Sequence, residues 1–372
     1  MAWSSQQEAA IRAVKAWMKD PNAPQVFRLF GFAGTGKTTL AKHLAAESDG
    51  TVLFGAYTGK AALMLRKKGC VGASTIHSMI YKVRQDEITG RLSFRWNADS
   101  DAGWASLIVI DEVSMVDPAM GEDLLRYGKK VLVLGDPAQL PPVSGDGFFL
   151  NAKPDVMLTE VHRQAAENPI IRMSIDVREG KRLMPGMYGE SEVIARGDIS
   201  REALQAKVLA ADQVLCGLNR TRHGLNRRIR ELKGFVGEPQ VWMPTPGERL
   251  VCLRNNRDKN LLNGGMWVSQ TVSPGRNGIT LRVQSLDDEE LSPVDVSVLP
   301  QFFEGTDKEL DWKKKIGWDE FTFGWALSVH KAQGSQWDDV LIYDESEVFR
   351  EDARKHIYTA LTRAAQRVTV LV

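Results

Sequence analysis

The stretch Gly31-Phe-Ala-Gly-Thr-Gly-Lys-Thr38 decides the fold, because it has the pattern GxxxxGK[ST] of a phosphate-binding loop. The run 25–30 before it is typical of a strand, and the run 39–46 after it has apolar residues at helical spacing. In that context the backbone N–H groups and the helix N-terminus point at phosphate oxygens, Lys37 reaches the β- and γ-phosphates, and Thr38 offers its hydroxyl to Mg²⁺. The alternative is a glycine-rich turn that opens an ordinary helix. The strand, the loop, the Lys-Thr pair and the helix nevertheless stand in the order that a phosphate-binding loop requires. The sequence therefore predicts that the chain binds a nucleoside triphosphate.

Length and composition suit a globular protein of two or three domains, since the 372 residues exceed one typical core and 43% of them are hydrophobic. We expect no secretory signal in the first ten residues and no membrane-spanning segment. Cys70, Cys216 and Cys252 are widely spaced, lack zinc-ligand spacing and indicate reduced thiols. We therefore expect a protein of the cytoplasm, in a prokaryotic or virus-infected cell. A net charge of +1 argues against wholesale coating by nucleic acid but permits a local basic channel.

A second set of polar residues follows two further apolar runs. The run 106–110 is apolar after Ser106, as in a strand buried on both faces, and is followed by Asp111 and Glu112. Carboxylates at the end of such a strand lie in the crevice where open α/β sheets bind ligands. Asp111 would hold Mg²⁺, and Glu112 would orient and deprotonate the attacking water. The run 130–134 leads into a rigid Gly- and Pro-rich connection in which Gln139 could report the γ-phosphate.

Taken together, these segments resemble the helicase motifs of superfamily one, and the closest resemblance is to the RecD- and Dda-like branch, which unwinds with 5′-to-3′ polarity. The further matches stand in the family's order and are Ala56-Tyr-Thr-Gly-Lys-Ala-Ala62, Ser74-Thr-Ile-His-Ser78, Leu158-Thr-Glu-Val-His-Arg-Gln164, Gly324-Trp-Ala-Leu-Ser-Val-His-Lys-Ala-Gln-Gly-Ser-Gln-Trp337 and Tyr358-Thr-Ala-Leu-Thr-Arg-Ala364. The resemblance runs nearly from end to end and is weak at about 81–103 and 234–316. One departure is Tyr57, where the family usually has proline.

The resemblance implies a complete ATP site with Mg²⁺. Gln7 takes the place of the family's adenine-reading glutamine, and Arg163 and Arg363 take those of its two arginine fingers. The implied catalytic residues are Lys37, Glu112, Gln139, Arg163 and Arg363. The implied ATP-binding residues are Gln7, Gly34, Thr35, Gly36, Lys37, Thr38, Thr39 and Gly334, with Thr38 and Asp111 on the metal. A guanidinium brought in by domain closure would stabilise transition-state charge, whereas the plain alternative for either arginine is a surface ion pair.

The resemblance also implies contacts with the sugar–phosphate backbone of DNA. They would come from Thr58, Lys60, His77, Ser328 and His330. Hydroxyl and lysine side chains suit binding that does not depend on base sequence, because phosphate contacts position a protein without specifying bases. The alternative for both histidines is ordinary polar packing. Ten tryptophans are available to stack on bases, although core packing is the better interpretation for any one of them.

The predicted fold class is α/β, with two RecA-like P-loop domains and two insertions. The first RecA-like domain comprises 1–80 and 104–150, and a β-hairpin, the pin, is inserted at 81–103. The second comprises 151–233 and 317–372, interrupted at 234–316 by short strands with turn signals that predict a small SH3-like β-barrel.

Two features of these segments leave alternatives open. In the hairpin, Phe94 and Trp96 either form a strand-separating wedge or pack one face of the hairpin against the parent domain. In the helix that opens at Asn219, five arginines could follow a phosphate backbone, but we favour a charged, solvated face.

The function implied is an ATP-dependent DNA helicase that translocates on single-stranded DNA and unwinds forked duplexes, acting as a monomer with replication or recombination proteins as possible partners. A translocase that does not separate strands is the nearest alternative. A small-molecule kinase is a more distant alternative, since it would leave Gln139, Arg163 and the run 324–337 without a role. The intact ATP-site residues argue against a third alternative, a binding protein without enzymatic activity.

Overall fold

The structure of the protein is a computed structural model that describes residues 3–85, 92–142, 147–160, 167–237, 240–256 and 258–372. The chain forms two compact units. The first contains 1–84, 93–183 and 351–362, and the second contains 85–92, 184–350 and 363–372. Among the described residues, no helix has the length and apolar character needed to cross a membrane.

Six of the ten helices in the described residues begin at a side-chain cap. The ten are α1 (Ser5–Lys19), α2 (Lys37–Ala46), α3 (Gly59–Lys67), α4 (Ile76–Ile80), α5 (Pro118–Leu125), α6 (Pro169–Arg178), α7 (Arg201–Ala210), α8 (Asn219–Leu232), α9 (Gln301–Glu304) and α10 (Ala353–Leu361). Side-chain oxygens of the residues just before six of them accept from backbone N–H groups of the first turn. These caps satisfy donors that a helix start leaves unpaired, and they are Ser4, Thr58, Thr75, Asp117, Asn168 and Ser200.

The strands of the first unit and its β-hairpin segment are β1 (Val26–Gly31), β2 (Val52–Ala56), β3 (Ser74–Thr75), β4 (Tyr81–Gln85), β5 (Leu92–Trp96), β6 (Leu107–Asp111), β7 (Lys130–Gly135) and β8 (Val156–Leu158). Six of them form one sheet in the order β3-β2-β6-β7-β1-β8, and all neighbours are parallel. The carboxyl ends of these strands therefore meet at one edge, where parallel α/β sheets bind ligands.

Apolar layers cover both faces of this parallel sheet. Along β1, Val26 and Phe30 join the core on one face, and Phe27 and Leu29 join the core on the other. In β6 every residue from Leu107 to Ile110 is buried, which confirms the prediction of a strand covered on both sides. An α/β unit with a parallel sheet is thus the architecture that presents the phosphate-binding loop.

The strands of the second unit form two separate sheets. They are β9 (Gly186–Tyr188), β10 (Ser191–Ile194), β11 (Gln213–Cys216), β12 (Arg249–Cys252), β13 (Met266–Pro274), β14 (Ile279–Ser285), β15 (Val294–Val298), β16 (Phe321–Phe323), β17 (Ala326–Ser328), β18 (Trp337–Tyr343) and β19 (Ala364–Leu371). The six-stranded sheet has the order β17-β11-β18-β19-β10-β9 and is parallel except for β9. The five-stranded sheet, β15-β14-β13-β12-β16, is antiparallel and encloses its own apolar core.

The paired strands β4 and β5 place the two hairpin aromatics in different surroundings. Trp96 packs on Tyr127, its indole N–H donates to Asp123 O at 3.0 Å, and the Arg126 guanidinium lies 4.3 Å from its ring. Phe94 is 57% exposed. The structure therefore favours packing for Trp96, whereas more than half of the Phe94 side chain is exposed, as a wedge would require. Residues 86–91, which join the strands, lie outside the described residues.

The basic helix α8 differs from the solvated face that we favoured from the sequence. Arg222 and Arg230 are buried, and Arg230 forms an ion pair with the fully buried Glu248. The Arg230 guanidinium also donates to Val241 O and Met243 O. The solvated-face interpretation is wrong for these two arginines, and for Arg230 the reason is that the segment after the helix folds back and covers it.

Candidate nucleotide-binding site

The phosphate-binding loop joins β1 to α2 and has the backbone geometry that its glycines allow. Gly34 and Gly36 have φ angles of 78° and 79°, in the left-handed region that favours glycine. The Lys37 ammonium donates to Gly31 O at 2.5 Å and to Phe32 O at 3.0 Å. The loop therefore curls around the lysine, whose charge lies among its backbone groups. A lysine held within such a loop at a helix N-terminus is suited to bind a polyphosphate.

Thr38 and Asp111 meet at the carboxyl edge of the sheet. The Thr38 hydroxyl donates to Asp111 Oδ2 at 2.9 Å, although 73 residues separate them in the chain. Their hard oxygen donors suit Mg²⁺, which is commonly held by one or two protein groups together with substrate phosphates. The described residues contain no group of three or more His, Cys, Asp or Glu that could hold a metal by itself. The pair therefore fits a metal that arrives with the nucleotide.

Glu112 has an unusual backbone conformation next to this pair. Its φ and ψ angles are 54° and 46°, and its N–H donates to Asp111 Oδ1 at 2.8 Å. Non-glycine residues are uncommon in the left-handed region, and those that adopt it cluster at functional sites. The conformation directs the chain away from β6 immediately after Asp111.

Gln7 lies beside the loop and is buried. Its Oε1 accepts from Ser4 N at 3.1 Å, which completes a capping box at the start of α1. Its Nε2 donates to Thr35 O at 3.0 Å and so fixes the loop backbone. The predicted adenine contact of Gln7 stays a prediction. The structure adds a role in holding the loop.

Gln139 is in a tight turn that follows β7. Asp136 organises this turn, since its Oδ1 accepts from Ala138 N at 3.0 Å and its carbonyl accepts from Gln139 N at 3.1 Å. Gln139 is 6% exposed, and its Oε1 has no hydrogen-bond partner among the residues the structure describes. A buried amide oxygen without a partner is costly, and such groups often have a functional role.

Two residues of α10 that we had not predicted hold this turn. The Tyr358 hydroxyl donates to Asp136 Oδ2 at 2.7 Å and accepts from Ala33 N at 3.0 Å. Burial raises the pKa of the Tyr358 hydroxyl above its ordinary value, so it stays protonated and able to donate. Leu140 N donates to the Thr359 hydroxyl at 2.9 Å. The signal in the sequence is the pair of polar residues Tyr358 and Thr359 in the run 358–364, where the family resemblance points only to Arg363.

The loop is also contacted from α6 by a residue that the sequence analysis missed. The Arg178 guanidinium lies 3.6 Å from the ring centroid of Phe32. Stacking of this kind is favourable between a guanidinium and an aromatic ring. Nothing in the sequence pattern around Arg178 distinguishes it from a basic residue at a helix C-terminus.

The two predicted arginine fingers have different outcomes. Arg163 lies outside the described residues. Arg363 is buried, its Nη1 donates to Ser335 O at 3.3 Å, and its carbonyl accepts from Trp337 N at 2.9 Å. Burial excludes the alternative of a surface ion pair for Arg363. Gly334, the residue before Ser335 in the chain, has a φ angle of 74°.

Three of the predicted DNA contacts lie in the first unit. The Thr58 hydroxyl caps α3 by accepting from Ala61 N at 3.1 Å, and Lys60 is buried. His77 contacts three aromatic rings, Tyr57, Tyr81 and Phe94, with centroids 5.6 to 6.3 Å apart. Burial lowers the pKa of His77, an effect that the Asp117 carboxylate partly opposes.

The other two predicted DNA contacts lie in the second unit. Ser328 ends β17, is buried, and accepts from Lys331 N at 3.4 Å. The His330 ring packs on Phe349 with a centroid separation of 5.7 Å. Both residues thus have packing partners of their own, and their predicted contacts with DNA stay predictions.

Comparison with known proteins identifies relatives that match most of the chain. Residues 3–198 match the family model described as AAA domain, and residues 323–371 match the UvrD-like helicase C-terminal domain. The ATP-dependent RecD2 DNA helicase of Deinococcus radiodurans is 32% identical over 91% of this chain and 46% of its own length. The conjugal transfer protein TraA of Agrobacterium fabrum is 25% identical over 97% of this chain and 32% of its own length. The chain thus spans less than half of either relative.

Solved structures of low sequence identity share the fold. Pif1 helicase from Bacteroides, in complex with ADP-AlF3 and ssDNA, has a TM-score of 0.58 at 17% identity, over 99% of this chain and 92% of that one. Pif1 helicase from Candida albicans has a TM-score of 0.55 at 18% identity, over 100% and 94% of the two chains. The AAA-domain model alone covers more than half of the chain. The protein therefore belongs to this AAA-domain family, among the RecD-like members of the superfamily-one helicases.

Proposed function

We propose that the protein is an ATP-dependent DNA helicase that moves along single-stranded DNA with 5′-to-3′ polarity and unwinds forked duplexes. The observation that carries this proposal is the hydrogen bond between Thr38 and Asp111 at 2.9 Å, at the end of α2 that begins with Lys37. It unites the phosphate loop with the acidic strand end, as hydrolysis of a Mg²⁺-bound nucleoside triphosphate requires.

The proposed roles at the ATP site follow from the donor and acceptor properties of each residue. Lys37 binds the β- and γ-phosphates, and Thr38 and Asp111 hold Mg²⁺, which when bound neutralises phosphate charge. Glu112 orients the attacking water and accepts its proton. Gln139 responds to the γ-phosphate, and Arg163 and Arg363 stabilise charge in the transition state.

The proposed path of DNA uses backbone contacts without base recognition, from Thr58, Lys60, His77, Ser328 and His330. The segment 81–103 acts as the strand-separating pin, and the exposed Phe94 ring supports this role. The antiparallel sheet has four strands, β12 to β15, within 234–316 and an edge strand, β16, just after it, and we assign this sheet to the SH3-like insertion. The domain limits predicted from the sequence, with RecA-like domains at 1–80 with 104–150 and at 151–233 with 317–372, stay part of this proposal.

The test combines ATP hydrolysis with strand separation. ATPase activity is measured with and without single-stranded DNA, and unwinding is measured on forked duplexes that carry only a 5′ or only a 3′ tail. We expect stimulation by DNA and unwinding from the 5′ tail, with both lost in Lys37→Ala. Stimulation without unwinding would indicate a translocase. Hydrolysis that depends on a small-molecule acceptor would indicate a kinase and overturn the proposal.

A further inference from the structure

The helix α10 presents two consecutive hydroxyl groups in the interior of the first unit. Tyr358 is 1% exposed and Thr359 is fully buried. A buried hydroxyl without a partner costs free energy, and an apolar residue would fill the same space without that cost. Here both hydroxyls are bonded to backbone and side-chain groups of the nucleotide site. Their placement therefore calls for an explanation beyond core packing.

The Tyr358 hydroxyl joins two parts of the site that come from different strand ends. It accepts from the backbone N–H of Ala33, the third residue of the phosphate loop, at 3.0 Å. It donates to Asp136 Oδ2, in the turn after β7, at 2.7 Å. Asp136 is buried, so its carboxylate needs hydrogen-bond donors from the protein, and the Tyr358 hydroxyl supplies one of them.

The turn that carries Gln139 is held at both ends by α10. At its start, Asp136 Oδ1 accepts from Ala138 N at 3.0 Å while Oδ2 accepts from Tyr358. At its end, Leu140 N donates to the Thr359 hydroxyl at 2.9 Å. Gln139 lies between these two anchors with its side chain buried. The backbone of Gln139 is thus held from α10 through its neighbours Asp136 and Leu140, in addition to its own N–H bond to Asp136 O.

We infer that Tyr358 is a positioning residue for ATP hydrolysis, which fixes the Gln139 turn relative to the phosphate loop, and that Thr359 assists it at the other end of the turn. This inference rests on the proposed ATPase function. Because nucleotide affinity comes mainly from the loop and Lys37, loss of the Tyr358 hydroxyl changes turnover more than binding. A misplacement of about 1 Å in a catalytic group can cost roughly 100-fold in rate.

The experiment compares Tyr358→Phe with Tyr188→Phe, a control in the second unit that removes the hydroxyl bonded to Met184 O at 2.9 Å. We expect kcat for ATP hydrolysis to fall roughly 10- to 100-fold in Tyr358→Phe, with KM changed less than about 3-fold. The control retains both constants. A double-mutant cycle with Asp136→Asn should be strongly non-additive, because Tyr358 acts through that carboxylate.

Hydrogen exchange separates failure of this inference from failure of the proposed function. In Tyr358→Phe, amides of 31–35 and 136–140 should exchange faster than in the wild type, whether or not the protein hydrolyses ATP. Unchanged exchange there, or unchanged kcat in an active enzyme, overturns the positioning role. If Tyr358→Phe does not fold, Thr359→Val decides in the same assays, with faster exchange at 140 and a smaller loss of kcat expected, and wild-type values overturning the inference.

Discussion

The Thr38 hydroxyl donates to Asp111 Oδ2 at 2.9 Å, and this bond joins the first turn of α2 to the carboxyl end of β6. The two residues reach each other because α2 begins immediately after the phosphate loop and β6 ends at the same edge of a parallel sheet. An oxygen of each is therefore available at one point, where Mg²⁺ would bridge the protein and the nucleotide.

Replacement of Thr38 by two residues of similar size should separate the role of its hydroxyl from that of its shape. Thr38→Val removes the hydroxyl, and we expect ATP turnover to fall at least roughly 100-fold with a higher Mg²⁺ requirement for nucleotide binding. Thr38→Ser keeps the hydroxyl and should retain most of the turnover. Titration of Mg²⁺ at fixed ATP checks both variants. Equal activity of the two would remove Thr38 from the metal site.

Glu112→Gln tests the proposed base. The amide keeps the size of the side chain but cannot accept a proton, so turnover should fall by roughly 10²- to 10⁴-fold while nucleotide affinity is retained. Equilibrium binding of a fluorescent ATP analogue, measured beside single-turnover hydrolysis, distinguishes the two effects. Loss of binding together with turnover would assign Glu112 to the metal or to the fold.

The two hairpin aromatics should respond differently to substitution. Phe94→Ala removes a ring that is 57% exposed and contacts His77 and Tyr81, so the free energy of unfolding should fall by only about 1 kcal/mol while unwinding of forked DNA is impaired and DNA-stimulated ATPase is retained. Trp96→Ala should instead destabilise the protein by about 2 kcal/mol, since Trp96 packs on Tyr127 and Arg126. Urea unfolding and matched ATPase and unwinding assays check both. Wild-type unwinding by Phe94→Ala would place the wedge elsewhere.

His77 should contribute a pH dependence to stability. Burial lowers its pKa below the ordinary value of 6.5. Between that lowered pKa and 6.5 the unfolded chain binds a proton that the folded chain does not, so the free energy of unfolding falls as the pH drops below 6.5. In His77→Gln this contribution is absent, while His223, whose pKa is also lowered by burial, is unchanged. Urea unfolding at pH 7.5 and about pH 5.5 should show a smaller loss of stability in His77→Gln than in the wild type, and equal losses would contradict the shift.

Local sequence was sufficient to predict the phosphate loop, because all of its chemistry lies in eight consecutive residues. The meeting of Thr38 with Asp111 was also predictable, because parallel strands bring their carboxyl ends together. The contacts of Tyr358 were not predictable, since a tyrosine in the same helix as Ile357 and Leu361 is equally typical of a core position. Its partners at 33 and 136 are set by tertiary packing alone.

The hairpin shows a second limit of pattern. Phe94 and Trp96 are two residues apart in a strand and share one face, so their alternation cannot tell a packed ring from an exposed one. Both rings contact the first unit, and the difference lies in the partners, because Phe94 meets His77 and Tyr81 and stays 57% exposed whereas Trp96 packs on Tyr127 and donates to Asp123 O. The same holds for Arg230 on α8, whose burial depends on Glu248 from a later segment.

The left-handed backbone of Glu112 sets stability against chemistry at one position. A side chain with a Cβ atom is disfavoured there by roughly 1–2 kcal/mol, whereas glycine adopts the same angles freely. A chain optimised for stability alone would place glycine immediately after Asp111, and it would have no carboxylate beside the metal pair. Selection for thermostability alone therefore favours glycine at residue 112, which removes the proposed base. Stability screens of this protein need an activity readout for substitutions at that site.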